Sequence, residues 1–194
     1  MKTDEKGQPV TSFSDNQLME EVKNGRVEKL AVLFERHHVM LFNFFLRLSG
    51  NREASEDLVQ DVFFRILKYR ATFQGQSKFT VWMYQIARNT HIDHLRKRGQ
   101  ELPLDDQFGE AVSLDISPPD KLDRDQEAAL LRKALERLPL KKREILILSR
   151  YQDMKYKDLA ELFGCRVGTI KSYVHRAIKD LSDIYRELQG GIVS

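Results

Sequence analysis

The segment that most restricts the possible fold is 156–176, which has the pattern of two short helices joined by a tight turn. Ala160 provides the small side chain needed where two helices cross, and Gly164 tolerates the positive φ that such a turn requires. Apolar residues then recur at helical spacing and form one narrow stripe, comprising Val167, Ile170, Val174, Ala177, Ile178 and Leu181. The pattern predicts a helix-turn-helix motif.

The face of the second helix opposite this stripe is small, polar and cationic. At about 100° per residue, the positions farthest from Ile170 are Gly168, Ser172, His175 and Lys179, with Lys171 and Arg176 beside them. A helix that enters the major groove needs base-edge hydrogen-bonding groups near its N-terminal end and phosphate partners further along. We therefore predict that this helix binds duplex DNA. The alternative is an ordinary amphipathic surface helix.

Helical periodicity continues through the rest of the chain, and no segment alternates persuasively like a strand. The apolar spacing predicts helices over residues 15–22, 27–48, 53–69, 80–98, 123–138, 141–150, 155–163 and 167–188. Residues 99–122 contain three prolines and two glycines without a sustained period. We expect an all-α fold with two small helical domains, 15–98 and 123–188, joined by a flexible linker, 99–122, with a mobile N-terminus, 1–14, and a short tail, 189–194.

Charge is distributed unevenly along the chain, although its formal net value is only +3. Residues 77–100 carry five basic residues against one acidic residue, and residues 141–186 carry eleven against six. The stretch 101–127 between them has nine acidic and two basic residues, so the predicted linker is acidic. Two basic blocks on separate domains indicate two surfaces directed toward a polyanion.

Several classes of protein are disfavoured by individual residues. Cys165 is the one cysteine, so no intrachain disulfide can form, and we expect it to be a small buried side chain. His91, Asp93 and His94 are residue types that bind metal ions and lie close together in sequence. However, His91 and Asp93 lie about 200° apart on a helix, so no metal site is predicted. We expect no cofactor, because no phosphate loop or nucleophilic triad is visible. Without an apolar leader or spanning segment, the predicted location is the cytoplasm, with no membrane insertion.

Both halves of the chain resemble bacterial sigma factors. Region two of that family is similar to EDLVQDVF at 56–63, WMYQIARN at 82–89 and DHLRKR at 93–98, and region four is similar to LPLKKREILIL at 138–148, YKDLA at 156–160 and VGTIKS at 167–172. The order and the missing intermediate domain resemble the extracytoplasmic function (ECF) group over roughly residues 15–188. The resemblance implies a non-catalytic subunit that binds core RNA polymerase and directs promoter-specific initiation, for a stress or envelope regulon under anti-sigma control.

For the N-terminal domain, the resemblance implies two kinds of contact. Docking on the clamp helices of the largest polymerase subunit is implied for an exposed turn made of Asp57, Leu58, Gln60 and Asp61. Capture of the melted minus-ten box, with one base flipped into a loop pocket, is implied for Gln74, Gln76, Ser77, Lys78, Arg88, Asn89, Arg96 and Arg98. Two alternatives stay open: Asp57 and Asp61 as a merely solvated face, and Trp82 and Tyr84 as core residues rather than base-stacking ones.

For the C-terminal domain, the resemblance implies contact with the polymerase flap and with the minus-thirty-five box. The residues implied in reading that box are Arg166, Thr169, Lys171, Ser172, Tyr173, His175 and Arg176. Arg166 stands where many relatives carry a small hydroxyl cap, which weakens the cap and adds a contact for guanine or phosphate. Tyr173 stands where many carry arginine, which removes one cation. Both departures bear on the promoter sequence rather than on the fold.

Other classes of protein remain compatible with parts of the sequence. A helix-turn-helix regulator outside the polymerase explains residues 123–188 but not 53–98, and such regulators usually dimerise on paired half-sites. A module that mimics a sigma factor to sequester an anti-sigma protein explains both halves, but the intact basic helix face argues against it. An enzyme is disfavoured because no catalytic constellation is visible.

Overall fold

The computed structural model describes residues 13–99 and 124–190, with side chains of the second range described from 127 onward. Within these ranges every regular element is helical, as the sequence predicts, and no strand occurs. The α-helices are α1 (Asp15–Lys23), α2 (Leu30–Ser49), α3 (Arg52–Lys68), α4 (Phe79–Lys97), α5 (Arg124–Glu136), α6 (Leu140–Arg150), α7 (Tyr156–Leu162) and α8 (Val167–Gly190). Single 3₁₀ turns lie at Val27–Lys29 and Arg70–Thr72. None of the helices in the described ranges has the length and apolar character needed to cross a membrane.

Local signals fix where the first helices begin and end. Ser14 and Gln17 form a capping box at α1, in which the Gln17 N–H donates to Ser14 Oγ (3.3 Å) and the Ser14 N–H donates to Gln17 Oε1 (2.8 Å). Gly50 ends α2 with a φ of 64°. Asn51 then begins α3, because its Oδ1 accepts the Ala54 N–H at 2.9 Å. This short turn folds α3 back onto α2.

One apolar core lies inside helices α1 to α4. Its centre is aromatic: the ring of Phe44 lies 5.3 Å from the rings of both Phe45 and Tyr84. Around these rings, the largest fully buried side chains are Leu18, Met19, Leu33, Leu41, Leu48, Ile66, Phe73, Phe79 and Met83. Burying a side chain of this size stabilises the fold by about 1.5–3 kcal/mol. The core therefore gives the loops of this body a rigid support.

In the second body, α8 packs across α5, α6 and α7. Its buried residues are Ile170, Val174 and Ala177, as the apolar stripe predicts. The prediction is wrong for Val167 and Ile178, which are 39% and 41% exposed. These two residues lie about 60° and 80° from Ile170 on the same side of the helix, so they fall at one edge of the packed surface. The packed stripe is therefore narrower than the sequence suggests.

The two helical bodies are in contact through α6 and α7. Helix α6 packs against α2, and α7 packs against α4. Residues 143–148 of α6 are all buried, whereas the sequence predicts only Ile145 and Leu148 to face inward. A helix buried on every side is one that is covered by more than one partner. Here the first body covers the face of α6 that its own body leaves open.

Most of the predicted linker, 99–122, lies outside the described residues, as do most of the predicted N-terminal segment, 1–14, and most of the tail, 189–194. Gly99, the first linker residue, has a φ of 73° just after α4. The boundaries of the two domains stay a prediction.

Candidate nucleic-acid interface

The turn of the predicted helix-turn-helix has the conformation that the sequence requires. Gly164 has a φ of 60°, and the Cys165 N–H donates to the Ala160 carbonyl at 2.9 Å, which closes the end of α7. Ala160 is buried where α7 meets α8. The carbonyl of Arg166 accepts the Thr169 N–H at 2.9 Å, so Arg166 starts α8 through its backbone and leaves its side chain exposed.

The outward face of α8 is polar and cationic, as predicted. Its exposed residues are Gly168, Lys171, Ser172, His175, Arg176 and Lys179. Ser172 Oγ donates to the Gly168 carbonyl at 3.1 Å, and Arg176 Nε donates to the Ser172 carbonyl at 3.4 Å. Both side chains therefore lie along the helix surface, where they are available to exchange these local bonds for bonds to DNA. Of the other predicted residues, Thr169 is half-buried.

Tyr173 lies at the margin of this face rather than at its centre. Its ring is half-buried against the core and lies between Lys141 Nζ, at 5.1 Å from the ring centroid, and Arg176 Cζ, at 5.3 Å. Cations over an aromatic face are held by about 0.5–1 kcal/mol at exposed sites. Tyr173 thus orients Arg176, a role that the sequence did not indicate.

In the N-terminal body, the loop 74–78 is held by α1. Asn16 Nδ2 donates to the carbonyls of Ser77 (2.8 Å) and Gly75 (3.4 Å), and its Oδ1 accepts the Phe79 N–H at 2.7 Å. The predicted residues Gln74, Gln76 and Lys78 are exposed and Ser77 is half-buried. Sequence reasoning missed Asn16, although the capping-box pattern at 14–17 gives the phase of α1 and hence the direction of this side chain.

An open cleft of about 570 Å³ lies between α1 and this loop. It is lined by Phe13, Asn16, Gln17, Glu20, Glu21, Gln74, Gly75 and Gln76. The lining combines one aromatic ring with amide and carboxylate groups, which are the groups that stack on a base and bond to its edge.

Two residues predicted to contact the minus-ten strand bind the second body instead. Lys78 Nζ lies 2.6 Å from Asp158 Oδ2 of α7, and Arg88 Nε donates to Glu144 Oε2 of α6 at 2.8 Å. The guanidinium of Arg88 also lies 4.0 Å from the centroid of the Phe163 ring. The remaining cationic and polar members of this set, Asn89, Arg96 and Arg98, are exposed. In this arrangement the C-terminal body covers part of the predicted strand-binding face.

A buried ionic cluster surrounds that contact. Arg143 donates to the Leu48 and Leu138 carbonyls, each at 3.0 Å, and also to the Glu136 carbonyl. Burial lowers the pKa of Arg143 to about 10, although Glu136 and Glu144 oppose the shift. Burial also raises the pKa of Glu144, although Arg88 and Arg143 oppose that shift. The cluster joins the two bodies, because Leu48 belongs to α2.

Three of the four residues predicted to dock on polymerase reach the surface of α3, and one does not. Asp57 and Gln60 are exposed, and Asp61 is half-buried beside Arg65 Nη2 at 3.4 Å. Leu58 is only 3% exposed, so the expectation that it lies on an exposed turn is wrong: its position on α3 points into the core. Phe64, which follows Gln60 by one helical turn, is 64% exposed and was missed.

Tyr84 and Trp82, which the sequence left open as core or base-stacking residues, differ in burial. Tyr84 is 1% exposed, and burial raises its pKa, so it is a core residue. Trp82 is half-buried, with its ring 5.3 Å from Phe73 and 6.3 Å from Phe79. Its ring therefore braces the two ends of the loop 74–78 and remains partly open to solvent.

His91, Asp93 and His94 of α4 do not share one site. His91 is buried, and burial, with smaller effects from Arg143 and His94, lowers its pKa to about 4. Asp93 Oδ2 accepts from Arg65 Nη1 at 2.7 Å instead. Among the residues that the structure describes, no group of three or more histidine, cysteine or acidic side chains is placed to bind a metal ion. Cys165 is half-buried against the core.

Comparisons with known families match each helical body separately. Residues 33–101 match the family described as Sigma-70 region 2, and residues 128–181 match Sigma-70, region 4. The first match contains the whole loop 74–78 and the whole of α4, and hence every predicted minus-ten residue. The second contains the whole helix-turn-helix.

Individual relatives extend this likeness along most of the chain. The ECF RNA polymerase sigma factor EcfG of Rhodopseudomonas palustris is 38% identical over 139 residues, which cover 72% of this chain and 75% of the relative. RNA polymerase sigma-H factor of Pseudomonas aeruginosa is 28% identical over 177 residues, covering 87% and 92%. The sigma factor RpoE of Bartonella quintana, solved in complex with the anti-sigma factor NepR, is 31% identical with a TM-score of 0.60, covering 80% of this chain and 96% of that chain. With both regions matched in order and a relative of this identity, the chain belongs to the ECF family of RNA polymerase sigma factors.

Proposed function

We propose that this ECF sigma factor holds two promoter boxes at a fixed spacing on RNA polymerase, one with each helical body. The observation that carries the proposal is the coexistence, in one chain, of a helix with an exposed basic face and a separate polar loop beside a second basic helix. Charge on both surfaces favours DNA phosphates. As a member of the sigma factor family, the chain is a non-catalytic specificity subunit of RNA polymerase.

The C-terminal body is proposed to read the upstream box as duplex DNA. The N-terminal end of α8, with Arg166, Lys171 and Ser172, would enter the major groove, and Arg176 further along would contact phosphate. Tyr173 and Thr169 are less exposed than the sequence suggested. They are proposed to shape the face rather than to make its main base contacts.

The N-terminal body is proposed to capture one strand of the melted downstream box. The cleft beside the loop 74–78 would take a flipped base, while Asn89, Arg96 and Arg98 of α4 would follow the strand backbone. Arg88 and Lys78 join this set only when they leave Glu144 and Asp158. We therefore infer that the two bodies separate when the protein binds polymerase and DNA.

Polymerase itself is proposed to bind the outer face of α3. Asp57, Gln60 and Asp61 share that face with Phe64, whose exposed ring gives the polar patch an apolar centre. The partners proposed are the clamp helices for this face and the flap for the second body. An anti-sigma factor is a further proposed partner, because a similar sigma factor was solved in such a complex. Because core polymerase and promoter DNA are the proposed partners, we propose the cytoplasm as the site of action.

The proposal is tested by transcription with sigma-free core polymerase. Purified protein and core polymerase are incubated with genomic DNA fragments, and the RNA start sites are mapped. We expect discrete starts that share two upstream boxes. A matched pair of variants, Lys171→Ala in α8 and Lys157→Ala on the exposed surface of α7, separates the groove-binding face from general charge. Specific duplex binding without core binding would replace this proposal with a conventional helix-turn-helix regulator.

A further inference from the structure

Helix α1 reaches the predicted minus-ten loop through one asparagine. Asn16 spans the loop with both ends of its amide: Nδ2 donates to the Ser77 carbonyl at 2.8 Å and to the Gly75 carbonyl at 3.4 Å. Its Oδ1 accepts the Phe79 N–H at 2.7 Å. That N–H belongs to the first turn of α4 and has no partner within its own helix. One side chain therefore fixes the loop and the start of α4 together.

A second residue of α1 holds the other end of the loop. Lys23 Nζ donates to the Phe73 carbonyl at 2.6 Å, just before the loop begins. Glu20 lies between the two ties, and its Oε1 is 3.1 Å from the point where a Cβ on Gly75 would stand. Gly75 also has a φ of 70°, which favours glycine. Asn16, Glu20 and Lys23 of α1 thus lie against the loop at three points and hold it in one conformation.

The cleft beside the loop is built by the same helix. Asn16, Gln17, Glu20 and Glu21 of α1 form one wall, and the loop forms the other. A base that enters this cleft therefore meets α1 as well as the loop. Without the ties, the loop would need to be ordered at the moment of binding, and this ordering would reduce the affinity for the base.

We propose that Asn16 is a positioning residue for promoter recognition: it holds residues 75–79 in the shape that receives a flipped base of the minus-ten box. The inference rests on the proposed function of the loop and assigns to α1 a part in base preference. Asn16 acts through the loop backbone, so it sets how strongly the loop discriminates among bases rather than which polymerase surface is bound.

Two measurements on the full chain test this role. The first is amide hydrogen exchange of the free protein, which reports on the Phe79 N–H and on residues 74–78 without DNA. The second is initiation by the holoenzyme on promoters that differ by single bases in each box. The variants are Asn16→Ala, Asn16→Asp and the control Asn24→Ala, an exposed asparagine at the other end of α1.

The expected results differ among the variants. Asn16→Ala should speed exchange at Phe79 by about tenfold and reduce base discrimination at the loop-read position by about tenfold, with minus-thirty-five preference unchanged. Asn16→Asp keeps the acceptor for the Phe79 N–H and loses the donors to Gly75 and Ser77. It should protect Phe79 while still reducing discrimination. Asn24→Ala should match the wild type in both measurements.

Each part of the proposed role of Asn16 has a result that would overturn it. Unchanged exchange over 74–79 in Asn16→Ala would overturn the structural part of the proposal. Faster exchange with an unchanged base-preference profile would overturn the functional part, as would a uniform loss of activity at all promoters. If the wild-type holoenzyme gives no discrete starts, the proposed function is wrong and the role of Asn16 in base preference is wrong with it. The exchange data then still show whether Asn16 holds the loop.

Discussion

Replacing Arg88 with alanine is expected to separate the two helical bodies in a pH-dependent way. In the wild type, Arg88 Nε donates to Glu144 Oε2 at 2.8 Å, and its guanidinium lies 4.0 Å from the Phe163 ring centroid. Glu144 is 1% exposed, and burial raises its pKa against the opposing effect of Arg88. Without Arg88, the closed arrangement would retain a buried carboxylate that has lost its closest partner.

The size of the effect follows from the protonation of Glu144. In the variant, the buried carboxyl takes up a proton rather than stay ionised. For a carboxyl with an ordinary pKa of 4.5, this costs about 3.4 kcal/mol at pH 7 and about 0.7 kcal/mol at pH 5. Loss of the cation–π contact adds about 1 kcal/mol at either pH. The closed arrangement should weaken by at most about 4 kcal/mol at pH 7 and about 2 kcal/mol at pH 5.

The sign of the pH dependence is fixed by the direction of the pKa shift. Burial in the closed arrangement raises the pKa of Glu144 above its ordinary value, so a carboxyl that regains solvent when the bodies part binds its proton less tightly. Lowering the pH from 7 to 5 therefore favours closure of the Arg88→Ala variant. The double variant Arg88→Ala/Glu144→Gln lacks the titrating group and should show no such dependence.

Distances between spin labels on the two bodies measure this equilibrium directly. Nitroxides are placed at Glu53→Cys on α3 and Glu161→Cys on α7, both exposed positions, in a Cys165→Ser background. The Arg88→Ala variant should show long distances at pH 7 and a larger short-distance population at pH 5. Arg96→Ala, an exposed arginine of the same helix, serves as the control and should stay closed at both values. An Arg88→Ala variant that stays closed at pH 7 would show that the Arg88–Glu144 pair does not hold the two bodies together.

Three further predictions concern single residues. Burial lowers the pKa of His91 to about 4 from its ordinary 6.5, so the contribution of neutral His91 to the free energy of unfolding is fully present above pH 6.5 and falls by about 3 kcal/mol toward pH 4. Urea unfolding of the His91→Leu variant should lack this pH dependence. A variant with the same pH profile as the wild type would contradict the prediction. Lys171→Ala and Arg176→Ala should each reduce, by about 1, the slope of log K for duplex binding against log salt concentration. An unchanged slope would show that the replaced residue does not contact DNA phosphate. Exposed Phe64→Ala should weaken core-polymerase binding about tenfold without loss of stability, whereas buried Leu58→Ala should lower the free energy of unfolding by about 2–5 kcal/mol. If the two variants affected polymerase binding and stability equally, the result would argue against the proposed docking face.

The sequence predicted those parts of the fold that depend on neighbouring residues. Periodicity and the positive-φ glycine placed α7, Gly164 and α8 correctly, because helix faces and turns are set within a few residues. The polar face of α8 followed from the same local geometry. One edge of its apolar stripe did not, since exposure of Val167 and Ile178 depends on how far the neighbouring helices extend.

The parts that the sequence did not predict depend on distant contacts. Nothing near Glu144 indicates that Arg88, more than fifty residues earlier, covers it, or that α6 is enclosed by two bodies. Asn16 likewise acts on a loop about sixty residues away. The family resemblance named Leu58 as a surface residue even though its own apolar spacing points inward. The periodicity was the better guide there, because burial follows from helix phase.

If one chain holds two promoter boxes at a fixed spacing, initiation must depend on the distance between those boxes. Once a promoter is mapped, about 5 base pairs, close to half a helical turn, are inserted between the two boxes, and initiation by the holoenzyme is compared with the parent promoter. We expect a near-complete loss of starts, because the upstream box would then face away from α8. Unchanged initiation after the insertion would contradict it, since the two boxes would not be read together by the same molecule.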